Sequence, residues 1–203
     1  MPARIALIRH GQTTWSASGQ HTSVTDLDLT PEGERQARTV SRLLAGLRLF
    51  PVTVWSSPRL RAVRTAELAG LAVDSVVDDL AEWNYGEYEG ITSKQIHLDR
   101  PGWSIFTDGA PGGESPEQVS ARADRVLADA TAALSDGDVA LVCHGHVSRV
   151  LAARWVNLPI TAGGLLLMDP AAVTVLGTYH DKPCIEHANV VPFHSEAAQP
   201  SHA

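Results

Sequence analysis

The chain has 203 residues, 44% of them hydrophobic and 19% charged, which fits one globular domain with a substantial core and excludes a disordered chain. A net charge of −7 argues against a nucleic-acid surface, so any anionic ligand must be held by a local cluster of cations. No apolar run approaches the roughly 20 residues of a membrane-spanning helix, and no signal-peptide pattern opens the chain. Two cysteines, Cys143 and Cys184, cannot build a disulfide framework, so a cytoplasmic location is expected.

In chain order, Ala3 to Ile8 reads as a buried strand that runs into Arg9, His10 and Gly11. Thr30 offers an N-cap with Pro31 at the first helical position, and Ala37, Val40, Leu43, Leu44 and Leu47 recur on one helical face. "PVTVWSSP" reads as a second strand, followed by a helix from near Pro58 to Gly70. A weak strand at Ser75–Val77 leads into an irregular segment rich in Trp, Gly and Asp. Ser115 with Gln118 forms a capping-box pattern, and Val119, Ala123, Val126, Leu127, Ala130 and Leu134 make the stripe of the long helix that follows. "DVALVCH" is a strong strand, followed by a helix over Val147 to Val156. "GGLLLMD" and "AAVTVLGTYH" read as closing strands, one of them antiparallel.

This alternation predicts a three-layer α/β/α fold with a mostly parallel central sheet, as a single domain over 1–191 with a flexible tail over 192–203. Such sheets bind ligands beyond the carboxyl ends of their strands. Three strands end there in reactive groups: Arg9 and His10, then Arg59 and Arg61 through "SSPRLR", then His144. Imidazoles among guanidiniums suit a phosphate ester, because arginine forks match phosphate oxygens and stay charged. A histidine flanked by arginines is disfavoured as a cation and keeps a lone pair that can attack phosphorus. His10, followed by Gly11, is the candidate nucleophile; Arg9, Arg61 and a protonated His144 would neutralise the transferring oxygens. The leaving oxygen needs a proton, and Asp78, Asp79, Glu82, Glu87 and Glu89 are the carboxylates on offer. Glu82, beside Trp83 and Tyr85, is expected in a partly apolar pocket that keeps it protonated in mild acid, giving an acidic optimum.

"RHGQTTWS" resembles the opening of the histidine phosphatase superfamily, in the branch shared with cofactor-dependent phosphoglycerate mutase. "LTPEGERQA", "SSPRLRAVRTA", "EWNYGEYEG", "GGES" and "VCHGHVSRVLA" follow in that family's order. The resemblance implies a phosphoglycerate mutase-like fold, a phosphorylated His10, a phosphate pocket of Arg9, Arg61 and His144, and Glu82 as proton donor. It implies no cofactor and no metal. Ser16 stands where the family usually has asparagine, so one phosphate contact is expected to be lost or bridged by water. "SGQHTSVTDLDLT" and "HGHVSRVLAARW" are similar to the sedoheptulose bisphosphatase-like group, with Ser23 replacing its usual glycine. On that resemblance Thr22 and Ser23 contact substrate through backbone amides, Gly145 joins the substrate site, and His21 and His146 stand at its mouth.

The segment between Glu82 and Gly112 is short, which leaves water room to take the phosphoryl group. Hydrolysis of small phosphorylated metabolites by a broad-specificity acid phosphatase is therefore the expected activity. The alternatives are a phosphoglycerate mutase, a phospho-ligand binding module without turnover, and a metal-dependent hydrolase using the His144–Gly145–His146 alternation. The expected partner is a small phosphorylated substrate, with neither nucleic acid nor membrane; the oligomeric state stays open, a homodimer being one option, since no heptad pattern sets it. Cys143 is expected in the core, Arg59 at the pocket mouth or in solvent with Arg64, and Trp83 and Trp103 along the cleft wall.

Overall fold

The computed structural model describes residues 2–191, and the expected tail lies outside them. Six strands form one sheet: β1 (Ile5–Arg9), β2 (Thr53–Ser56), β3 (Ser75–Val76), β4 (Val139–Cys143), β5 (Val173–Tyr179) and β6 (Lys182–Val190). Their order is β3-β2-β4-β1-β5-β6. The first four in that row run parallel, whereas β5 is antiparallel to β1 and β6 to β5.

β1 and β4 are the continuous apolar runs of the sequence because both their faces are covered. The helices in chain order are α1 (Thr14–Ser18), α2 (Pro31–Gly46), α3 (Leu60–Leu68), α4 (Ser93–Asp99), α5 (Ile105–Asp108), α6 (Pro116–Ala133) and α7 (Gly145–Trp155). Ile5, Leu7, Val139, Leu141 and Cys143 enter one core with α6 and α7. The alternate residues Ala6, Ile8, Val54, Ala140 and Val142 enter a second core with α2 (Pro31–Gly46) and α3 (Leu60–Leu68). The three-layer expectation holds. The Thr30 cap, Pro31 at its first position and the Ser115–Gln118 capping box all form.

Register fixes where the chemistry emerges. Arg9 lies opposite Cys143 and Ser56 opposite Val142, so the residues just beyond these three strands share one edge of the sheet. The His10 N–H continues the ladder to Cys143 O at 3.0 Å, and the Ser57 N–H continues it to Val142 O at 2.9 Å. Gly11 and Gly33 allow the turn after β1 to lie against the start of α2: a Cβ on Gly11 would stand 2.3 Å from the Gly33 carbonyl oxygen. Close backbone packing, more than approach to the phosphate, is therefore what glycine provides at position 11.

One predicted element is corrected. "GGLLLMD" is not a strand: Ile160–Leu165 is a 3-10 helix and Leu166–Asp169 is irregular. The edge of β1 that it would have needed is filled by β5, and Gly163 is held against α7 by the Arg149 Nε–H at 2.8 Å. Leu165 and Leu167 consequently face solvent, 87% and 72% exposed. The second closing strand is β6, reached through a two-residue turn at His180 and Asp181, both at positive φ.

Candidate active site

The carboxyl ends of β1 and β4 open into a cavity of about 320 Å³ lined by Arg9, His10, Ser16, Thr22, Glu82 and Gly145 among others. His10 is 5% exposed. Its Nδ1 lies 2.7 Å from the Gly11 carbonyl. A carbonyl only accepts, so Nδ1 carries the hydrogen and the lone pair is on Nε2. Burial, then the Arg61 and Arg9 charges, hold its pKa well below the usual histidine value. That shift favours the free base, the form a nucleophile needs.

Arg9 donates through Nη1 to the Met168 carbonyl, while its Nε is buried without a partner among the described residues. Buried orphan donors are rare, and this one stands in the cavity wall. Arg61 is placed differently from the expectation. It is fully buried beneath the cavity floor and spends its donors on Thr25 O, Thr22 O, Ser23 O and His144 Nδ1 at 3.1–3.3 Å. It shapes the Thr22–Thr25 loop and contributes charge, rather than an open fork.

His144 also sits below the cavity, its ring centroid 5.1 Å from that of His10. Arg61 Nε can only donate, so Nδ1 of His144 accepts, and the neutral ring donates from Nε2 to Ser57 Oγ at 2.7 Å. Burial, then Arg61 and His10, push its pKa well below the usual value. These hydrogen bonds and the lowered value favour a neutral imidazole here; the expectation was of a protonated His144 facing a transferring phosphate.

Glu82 is the only one of the five candidate carboxylates that lines the cavity. Asp79 pairs with Arg125, Asp78 and Glu87 are exposed, and Glu89 binds Ser23 and Thr25. Glu82 is buried beside the buried Trp83 and Tyr85, and N–H groups complete its surroundings. Its oxygens accept N–H groups from Trp83 at 2.9 Å and from His146 and Val147 at 3.0 Å, the last two being orphan donors of the α7 N-terminus. The motif "GGES" holds the same turn from behind. Glu114 accepts from Asn84 N and pairs with Arg122, whose Nη1 donates to the Asp79 and Ala81 carbonyls.

Ser16 lines the cavity, but its hydroxyl closes a capping box with Thr13, accepting from Thr13 N and donating to Thr13 O. Thr22 lines the wall, whereas the Ser23 N–H and hydroxyl are both taken by Glu89, so the expected Ser23 amide contact is withdrawn. Burial pushes Glu89 up, yet the hydrogen bonds from Ser23 and Thr25 outweigh it and hold it below the usual carboxylate value. His21 and His146 both line the cavity, with Tyr85 packed against each: Tyr85 OH bonds His146 Nδ1, and the His21 and Tyr85 centroids are 4.5 Å apart. Trp103 packs edge-on to His21, whereas Trp83 is wholly core. Arg59 does not line the cavity, and Arg64 pairs with Glu34 and Glu67. Among the described residues, no three His, Cys, Asp or Glu side chains cluster as a metal site. Sequence reasoning missed Ser57, Asp169 and Arg149, and offered Glu89 only as a proton donor; Arg149 lies one helical turn from His146 on α7, which was the available signal.

The profile of the histidine phosphatase superfamily (branch 1) matches residues 5–191. The chain belongs to the histidine phosphatase superfamily. Within it, the chain is 45% identical over 177 residues to a protein named acid phosphatase from Mycobacterium tuberculosis, covering 87% of each. It is 36% identical over 187 residues to sedoheptulose 1,7-bisphosphatase from Saccharomyces cerevisiae, covering 77% of this chain and 69% of the yeast protein. The solved structure of an open-reading-frame product of Mycobacterium tuberculosis superposes with a TM-score of 0.91 at 42% identity, over 94% of this chain and 99% of the other.

The buried imidazoles of this superfamily member bear on its acid stability. Burial pushes His21 down to about 4 from an ordinary value of 6.5. Between those values the unfolded chain binds a proton that the fold refuses, so stability is full above about 6.5 and falls as pH drops towards 4. His10, His144 and His146 are shifted in the same direction. Urea midpoints at about pH 7.5 and pH 4.5 should separate less for His21→Gln than for the wild type. Equal separations would show that His21 is not among the groups responsible.

Proposed function

We propose that this chain is an acid phosphatase-like phosphomonoesterase that hydrolyses small phosphorylated metabolites in two displacements at His10. Hydrolysis of phosphate monoesters follows from family membership and from relatives named as phosphatases. The observation that carries the mechanism is the free Nε2 of His10 in a cavity shared with Arg9 and Glu82. In the first step Nε2 bonds to phosphorus, the ester P–O bond breaks, and Glu82 gives its proton to the departing oxygen. In the second, water attacks phosphorus, Glu82 takes the water's proton, and the P–N bond breaks to restore His10. The charge on the equatorial oxygens is met by Arg9, by the Arg61 field and by His144, which gains a proton more readily once a phosphate dianion lies beside it.

The route draws on side chains alone and needs no metal. Two free cysteines, one of them buried, support work in the cytoplasm, and no helix among the described residues is long and apolar enough to cross a membrane. Incubation with an aryl phosphate and with glycerol 3-phosphate, both in excess chelator, should release inorganic phosphate fastest in mild acid. No interconversion of 2- and 3-phosphoglycerate should accompany it. Loss of activity in chelator would favour the metallohydrolase, and interconversion the mutase.

A further inference from the structure

The loop Thr22–Thr25 reaches the cavity wall through Thr22, and two side chains of opposite charge hold its backbone. Arg61 takes the carbonyls, donating to Thr22 O and Thr25 O at 3.1 Å and to Ser23 O at 3.3 Å. Glu89 takes the N–H groups: Oε1 accepts from Ser23 N and Thr25 N, and Oε2 from Ser23 N, each at 3.0 Å. The Ser23 hydroxyl closes this clamp, donating to Glu89 Oε2 and accepting from the Tyr85 N–H at 3.3 Å. The root of Glu89 is fixed as well, because Gly90 N donates to His21 O at 2.8 Å and His21 N to Ile91 O at 3.0 Å.

Thr22 is clamped on one side only. Its carbonyl binds Arg61, but its N–H bonds nothing among the described residues, although Thr22 borders the cavity that holds His10. A backbone donor beside a cavity finds its acceptor in what fills that cavity, and during phosphoryl transfer that is an oxygen gaining charge. Small displacements of such a donor cost more in the transition state than in a bound ground state. Glu89 does not line the cavity, and its hydrogen bonds all go to this loop, so its route to the reaction runs through the loop.

We propose that Glu89, together with the Ser23 hydroxyl, is a positioning residue for phosphoryl transfer: the clamp sets the Thr22 N–H against the transferring group. This inference rests on the phosphatase reading above. The Ser23 hydroxyl allows the charge of Glu89 to be separated from its geometry. In Glu89→Gln the amide oxygen can stand for Oε1 and accept from Ser23 N and Thr25 N, while the NH₂ stands for Oε2 and donates to Ser23 Oγ. The charge is lost and the clamp persists with one bond reversed. With Ser23→Ala added, that NH₂ faces a methyl group and the clamp fails.

The test compares Glu89→Ala, Glu89→Gln, Ser23→Ala and the double variant Ser23→Ala/Glu89→Gln in kcat/KM on an alkyl phosphate. Inhibition constants are measured for inorganic phosphate and for vanadate, whose five-coordinate form stands in for the transferring phosphoryl group. Glu89→Ala should lose about tenfold or more in kcat/KM and in vanadate affinity, while phosphate affinity changes far less. Glu89→Gln should keep most of both, and the double variant should lose far more than the product of the two single losses. General loosening of the fold would weaken both anions alike, so the ratio of vanadate to phosphate affinity isolates positioning. The double-variant comparison stands even where Glu89→Ala fails to fold. Equal losses in Glu89→Gln and Glu89→Ala, an unchanged ratio in a folded Glu89→Ala, or independent losses in the double variant would each overturn the assignment. Failure of the wild type to hydrolyse any phosphate ester would instead remove the phosphatase reading on which it stands.

Discussion

His10→Ala is expected to turn over phosphate esters at less than about a thousandth of the wild-type rate, a barrier increase above ~4 kcal/mol. The size of the effect follows from what is removed. His10 supplies the atom to which phosphorus bonds, and the neighbouring cations stabilise charge only on a group that has begun to transfer. Alanine leaves the Arg9 and Arg61 contacts in place, because neither side chain bonds to the imidazole. Phosphate binding should therefore outlast catalysis, with kcat falling far more than affinity for inorganic phosphate. A variant retaining more than a few per cent of wild-type activity would exclude His10 as nucleophile.

Glu82→Gln should separate substrates by their leaving groups. For an alkyl ester the departing oxygen is strongly basic, and loss of the proton donor should lower kcat by a factor of about 100 to 10,000. For p-nitrophenyl phosphate the leaving group departs without help, and the loss in the first step should be far smaller. Glutamine also presents an NH₂ group where one of the Trp83, His146 or Val147 N–H donors now finds an oxygen. Some structural cost is therefore expected on every substrate, and the ratio between substrates isolates the proton. Equal losses on both esters would remove Glu82 from the acid role.

What could be read along the chain was whatever depends on neighbours in sequence. The apolar runs of β1 and β4 fix two central strands, and the residues immediately after them, His10 and His144, are delivered to one edge by register alone. The caps at Thr30 and Ser115 are equally local. What escaped depends on partners far along the chain. Nothing near "SSPRLR" says that Arg61 will spend its donors on the carbonyls of Thr22, Ser23 and Thr25. Nor does anything near Glu82 foretell that the first turn of α7 will supply two of its three N–H donors. The apolar run Leu165–Met168 has a strand's composition, but the sheet edge it would join belongs to β5, a competition invisible to a local pattern.

Rapid mixing with a phosphorus-labelled ester, quenched in alkali within the first turnover, addresses the covalent intermediate itself. Label should appear as an acid-labile phosphoramidate on the peptide bearing His10, at close to one equivalent per active site if the second displacement is slow. It should be absent from His10→Ala. Steady product release with no label on that peptide, or label on any other residue, would contradict the two-displacement account.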